Sequence, residues 1–184
     1  MATQTLLTVD EYLDLPLEEG RRHELDEGRL VEMASPTLEH GDYQGRLFYF
    51  FHVYRKQQKI PLVVSLHAEF VLSDDPPVAR QPDVCVIMPE TASRLEYVRG
   101  AYRGHPELAI EVVSKSDVAV ELDRKVDQYL AAGVQSVWIF YPETRHVMIY
   151  RASGETKLLR PGDDIEEPGL FPGLRIPVAE VFEL

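Results

Sequence analysis

Two carboxylates stand where the sequence is otherwise apolar. Pro82-Asp83-Val84-Cys85-Val86-Ile87 and Pro106-Glu107-Leu108-Ala109-Ile110-Glu111-Val112-Val113-Ser114 are short runs rich in Val and Ile. Such runs mark strands covered on both faces of a sheet. Side chains alternate along a strand, so Asp83 shares a face with Cys85 and Ile87, and Glu111 shares one with Ala109 and Val113. A lone ionised carboxylate there costs on the order of several kcal/mol unless a positive group meets it. Two hard oxygen ligands on neighbouring strands would make a site for Mg²⁺ or Mn²⁺, with water and substrate oxygens completing the shell. The alternative is that each acid pairs with an arginine or caps a loop.

The segment that follows brings a cation. From Val118 to Gly133 the pattern is helical: Val118, Leu122, Val126, Tyr129 and Leu130 recur at three- and four-residue spacing, and Gly133 stops the run. At about 100° per residue from Val118, these five fall at roughly 0°, 40°, 80°, 20° and 120°, and Lys125 at roughly −20°. Lys125 is the charged side chain inside the apolar stripe, while Glu121, Asp123, Arg124 and Asp127 lie at its edge or beyond. It is therefore a candidate partner for Glu111. Otherwise it is a lysine that buries its stem and carries its head to solvent.

The remaining elements must position these groups. Thr8-Val9-Asp10-Glu11 has the form of a capping box and opens a short helix ending before Pro16. Arg22 to Met33 reads as two strands about a turn at Asp26-Glu27-Gly28, with Glu24 in the first, a surface charge or a functional acid. After the break at Ser35-Pro36-Thr37, a long helix runs from Leu38 or Asp42 to Gln58 on a stripe of Tyr43, Leu47, Phe50, Phe51 and Tyr54. His40 lies near its start and Arg46 on its other side. Leu62 to Leu72 reads as one strand, with His67 and Glu69 on its polar side, returning through Ser73-Asp74-Asp75-Pro76-Pro77 into the Asp83 strand. On this reading Glu69 can face the same cavity as Asp83. Pro89 to His105 is expected as a loop or short helix in which Arg94, Tyr97, Arg99, Tyr102 and Arg103 interleave aromatic and basic side chains. It could grip a phosphate backbone or simply be solvated. Ser136 to Pro142 and Val147 to Arg151 read as paired strands, and Phe171 to Pro177 as an edge segment.

A chain of 184 residues, 45% hydrophobic and 27% charged, fits one globular domain over residues 1–184. Nothing in it approaches a membrane span. Met1 to Thr5 lacks the form of an export leader, and the lone Cys85 suits a reducing cytoplasm as a small buried hydrophobe. The net charge of −12 argues against holding nucleic acid by bulk electrostatics. Its distribution is uneven: residues 1–40 hold ten acids and three bases, whereas residues 41–70 hold two acids and four bases. An acidic shell around a basic patch still admits a phosphodiester, the more so with a divalent metal.

Pro82-Asp83, then Glu111 in an apolar strand, then a lysine on the next helix resembles the PD-(D/E)XK restriction-endonuclease-like superfamily, and more specifically its Uma family of endonucleases. The likeness spans Thr8 to Leu13, His23 to Gly28, Ser35-Pro36 with His40, Pro82-Asp83-Val84, Glu111 to Ser114, Lys125 with Tyr129, Gly133-Val134 and Trp138. Two residues after the glutamate, where the superfamily places its lysine, stands Val113. In the Uma family that amine moves to the following helix, where Lys125 stands. Lys115 replaces the usual proline and is a rival amine, and Tyr141 stands where an aspartate is frequent.

The resemblance implies an α/β (α+β) fold with a central mixed sheet flanked by helices, an extra N-terminal β-hairpin and C-terminal strands. It implies hydrolysis of DNA phosphodiesters with Mg²⁺ or Mn²⁺ held by Asp83, Glu111 and the Val112 carbonyl, Lys125 acting on the attacking water and Glu24 at the cavity edge. His40, Glu69, Lys115 and Gln128 are supporting candidates, and Arg46, Arg99 and Arg103 candidate nucleic-acid contacts. Cutting both strands of a duplex with one site per chain calls for a homodimer. A membrane or another protein partner is not indicated. The rival readings are a non-catalytic interaction module on the same scaffold and a nuclease acting on RNA.

Overall fold

The computed structural model describes residues 6–16, 21–35 and 37–183. Met1 to Thr5 and Pro36 lie outside them, and so do the readings made on those residues. In chain order the elements are α1 (Val9–Leu13), the hairpin β1 (His23–Asp26) and β2 (Arg29–Glu32), α2 (Leu38–Gln58), β3 (Val63–Leu66), β4 (Phe70–Asp74), β5 (Pro77–Arg80) and β6 (Val84–Ile87). There follow α3 (Pro89–Ala92), β7 (Glu96–Val98), β8 (Ala101–Arg103), β9 (Leu108–Val112), α4 (Ala119–Ala132), β10 (Ser136–Tyr141), β11 (His146–Arg151), β12 (Thr156–Leu159), β13 (Asp164–Glu167), β14 (Phe171–Pro177) and α5 (Val178–Phe182).

Two six-stranded mixed sheets result. One has the order β2-β1-β5-β4-β8-β7 and the other β12-β11-β10-β9-β6-β3, with β13 and β14 as a separate antiparallel pair. The fold class is the expected one, with helices on the sheets, an N-terminal hairpin and C-terminal strands, although two large sheets take the place of a single central one.

The second sheet explains the unbroken apolar runs. Leu47, Phe51 and Tyr54 of α2 pack on Val84, Val86, Leu108, Ile110, Trp138 and Phe140, covering one face. Leu122, Val126 and Tyr129 of α4 pack on Ala109, Val137 and Ile139, covering the other. Strands β9 and β10 are parallel, so the chain must cross over between them, and α4 is that crossover. Gly133 ends α4 with φ of 108°, a left-handed cap that favours glycine. Cys85 is fully buried, and burial pushes its thiol up to about 12. Among the described residues no helix is long and apolar enough to cross a membrane.

Three expectations are corrected. The strand expected over Leu62 to Leu72 is two strands in different sheets, because His67 takes φ of 55° and a left-handed residue turns the chain out of the first ladder. The strand returning from the Ser73 turn is β5; Gln81, Pro82 and Asp83 then carry the chain to β6 in the other sheet. Proline has no N–H to give a ladder, which suits that break. Finally, Pro89 to His105 holds α3 and then a hairpin of β7 and β8, turned at Arg99 and Gly100, both at positive φ.

Candidate active site

Helix α4 lies between the sheets and serves both. Its apolar stripe rests on the second sheet, while Arg124, Lys125 and Gln128 reach the first. Asp83 directly precedes β6. Because Val84 faces Ile110 across the antiparallel pair, continuing the register one step sets Asp83 opposite Glu111. Both are buried, at 6% exposure each.

Asp83 is held from three sides. The Val112 amide donates to its Oδ2 at 2.8 Å, while Gln44 Nε2 donates to Oδ1 at 2.7 Å and His40 Nε2 lies 3.1 Å from that same oxygen. His40 and Gln44 are one turn apart on α2, so the start of that helix reaches round to the carboxylate. Glu111 Oε1 accepts from the buried Tyr129 hydroxyl at 2.8 Å and lies 3.8 Å from Lys125 Nζ. Among the described residues none of the hydrogen bonds ends on Glu111 Oε2.

Lys125 is more tightly engaged elsewhere. Its Nζ lies 3.0 Å from Glu24 Oε2 and 3.2 Å from Oε1, and Glu24 is completely buried in β1. Arg80, at the end of β5, donates to Glu24 Oε2 at 2.8 Å and to Asp26 Oδ1 at 2.7 Å. Gln128 accepts from Arg80 at 2.8 Å and donates to Asp26 at 2.8 Å, and Arg124 completes the pairing of Asp26. The Gln81 amide adds a third donor to Glu24, at 3.0 Å. The result is a chain of buried charges running from Asp26 through Arg80, Glu24 and Lys125 to Glu111.

One ammonium cannot neutralise both glutamates. Burial disfavours the charge on Glu24, but Lys125 and Arg80 outweigh it and hold that carboxyl below its usual range. Burial also works against Asp83, where His40 and the Val112 amide prevail and its carboxyl is again lowered. For Glu111 burial wins: although Lys125 opposes the shift, the charges of Asp83 and Glu24 add to it, and the carboxyl is pushed up to about 8. Burial would drive the proton off Lys125, yet Glu111 and Glu24 reverse that and raise its pKa.

The donor set fits a small hard cation. Among the described residues no three His, Cys, Asp or Glu side chains gather as a complete metal cage. Mg²⁺ needs none, being bound by one or two carboxylates while keeping several waters. Among the described residues Glu111 Oε2 is uncommitted, and Asp83 Oδ2 uses one of its two lone pairs. A carboxyl that keeps its proton beside a second carboxylate is one that a cation would deprotonate.

The other candidates divide. His40 and Gln128 join the network, and Glu69 takes a very short hydrogen bond from Tyr12 on the Glu24 side, where burial raises its pKa. Lys115 is not brought to the site: its side chain is 87% exposed and pairs with Glu143 at 3.5 Å. Arg46, Arg99 and Arg103 lie at the surface, paired with Asp42, with Asp10 and Asp14, and with Asp74. Sequence reasoning missed Arg80, Gln44 and the hydroxyl of Tyr129. Of these only Gln44 left a signal, as a polar residue within the buried face of α2.

No curated protein matches the chain. Among solved structures, a protein from Anabaena variabilis ATCC 29413, described as "a putative nuclease belonging to DUF820", superposes with a TM-score of 0.80. The match covers 96% of this chain and 97% of that one at 23% identity, a shared fold. The profile of the Uma2 family, described as "Putative restriction endonuclease", matches residues 9–179. With nearly its whole length matched, the chain belongs to the Uma2 family.

Proposed function

We propose that the chain is an endonuclease that hydrolyses DNA phosphodiesters with a divalent metal, Mg²⁺ or Mn²⁺. The observation that carries this reading is the meeting of Asp83, Glu111 and Lys125 where the adjacent interior strands β6 and β9 begin and end, with Lys125 Nζ 3.8 Å from Glu111. The family's description supports a nuclease, and its restriction-type wording favours DNA. Asp83 and Glu111 would hold the metal, with the Val112 carbonyl as a third ligand. When bound, such a cation supplies polarisation of the scissile phosphate and acidity to an attacking water.

The side chains do the rest. Lys125, already fixed by Glu24, orients that water or meets the negative charge that develops on the phosphate. Glu24 and Arg80 set where the amine sits, and Tyr129 sets the rotamer of Glu111. Arg46, Arg99 and Arg103 would contact the nucleic-acid backbone by exchanging their carboxylate partners for phosphates. A cut through both strands would use two chains as a homodimer, in the cytoplasm.

Nicking of supercoiled plasmid tests the reading, with single-stranded DNA and RNA run beside it. Wild type should nick the plasmid with Mg²⁺ or Mn²⁺ and lose activity on chelation, and Asp83→Asn and Glu111→Gln should be inactive though folded. Full activity in either variant refutes the assignment. Cleavage of RNA alone would transfer the same site to a different substrate.

A further inference from the structure

Within electrostatic reach of Asp83 is a pair of nitrogen-bearing side chains that the proposed chemistry does not use. Arg22 Nη1 lies 2.6 Å from His67 Nδ1, and both residues are partly buried. A guanidinium cannot accept, so it donates to Nδ1, and the ring must carry its proton on Nε2. Burial first, and then the Arg22 charge, lower the His67 pKa and keep the ring neutral, while Asp83 and His40 lie close enough to act on it. Among the described residues neither His67 Nε2 nor the rest of the Arg22 guanidinium has a partner, and no carboxylate pairs with Arg22. Arg80 and Arg124, by contrast, are committed to Glu24 and Asp26. His67 also holds φ of 55°, at the point where the chain passes from β3 in one sheet to β4 in the other.

We propose that Arg22 and His67 form an oxyanion subsite beside Asp83 that binds a non-bridging oxygen of a substrate phosphodiester. The nature of the anion rests on the nuclease reading. A guanidinium supplies fixed charge and paired donors, and a neutral imidazole adds one directed N–H, the combination that suits a phosphate oxygen. Arg22 would be a binding residue, and His67 would both bind and hold the guanidinium plane.

The test uses the metal-free protein. Inorganic phosphate is titrated while the imidazole nitrogens are followed by long-range proton–nitrogen NMR. The His67 Nε2 signal should move saturably in wild type and stay fixed in Arg22→Gln. In parallel, binding of a fluorescein-labelled duplex is measured against salt. Arg22→Gln should weaken it about tenfold and lower the salt slope by about 1, as loss of one phosphate contact does. Arg22→Lys should recover the slope with only part of the affinity. A static His67 signal together with an unchanged slope in a folded Arg22→Gln protein overturns the subsite. Phosphate binding at His67 without nicking of any DNA would keep the subsite and defeat the nuclease reading, and nicking without a His67 response would do the reverse.

Discussion

The Tyr129 hydroxyl donates to Glu111 Oε1 at 2.8 Å from one turn beyond Lys125 on the same helix, so α4 presents both an amine and a phenol to one carboxylate. Tyr129 is fully buried, and its ring belongs to the core that seats α4. Tyr129→Phe keeps the ring and removes the donor. A lost hydrogen bond to a buried acceptor costs about 1–3 kcal/mol, so the variant should stay folded. Its nicking rate should fall about tenfold because Glu111 loses its fixed rotamer. A rate equal to wild type would show that Lys125 alone orients Glu111.

The raised Glu111 carboxyl should be visible in stability. An ordinary carboxyl at 4.5 would be ionised in the unfolded chain, while in the folded metal-free protein Glu111 holds its proton up to about pH 8. Between those values the folded state binds more protons, so stability falls as pH rises. Glu24 and Asp83 are shifted down and act oppositely, losing stability as pH falls through the acid range. Thermal melts of the metal-free protein should therefore peak near about pH 5. Glu111→Gln should flatten the decline from pH 5 to 8, and an unchanged decline would place the titration elsewhere.

Arg80 is 3% exposed and is the shared partner of Glu24 and Asp26. Removing it leaves a fully buried carboxylate with Lys125 as its remaining cation. Arg80→Met should destabilise the fold by about 3–5 kcal/mol, the usual cost of breaking a buried pair from one side. Denaturant unfolding measures this, and a loss below about 1 kcal/mol would show that the buried pairing is dispensable to the fold.

The two lysines can be separated directly. Lys125→Met should reduce turnover about 10²-fold or more, the scale seen when a group that stabilises developing charge is deleted. Lys115→Met removes an exposed side chain facing Glu143 and should leave turnover unchanged. The opposite pattern, read from single-turnover rates, would hand the role to Lys115.

Much of this site was legible because each of its central groups broke a local pattern. Asp83 and Glu111 interrupted runs that could only be covered strands, and Lys125 stood inside a helical apolar stripe. The capping box at Thr8 and Glu11 and the Gly133 stop follow from backbone chemistry and formed as expected. What stayed hidden depends on contacts between distant segments. Arg80 meets Glu24 and Asp26 from 56 and 54 positions away, and nothing near it in the chain announces a buried arginine. Tyr129 read as one more apolar ring, since its hydroxyl partner lies on another element. The split at His67 was missed because a left-handed residue within a β-rich run leaves no periodic trace.

A crystal grown with Mn²⁺ and measured at the manganese absorption edge tests the site most directly. The anomalous peak should lie within bonding distance of both Glu111 Oε2 and Asp83 Oδ2, with Lys125 Nζ beside it. A peak on other residues, or none at a concentration that supports nicking, would contradict the assignment of these two acids as the metal ligands.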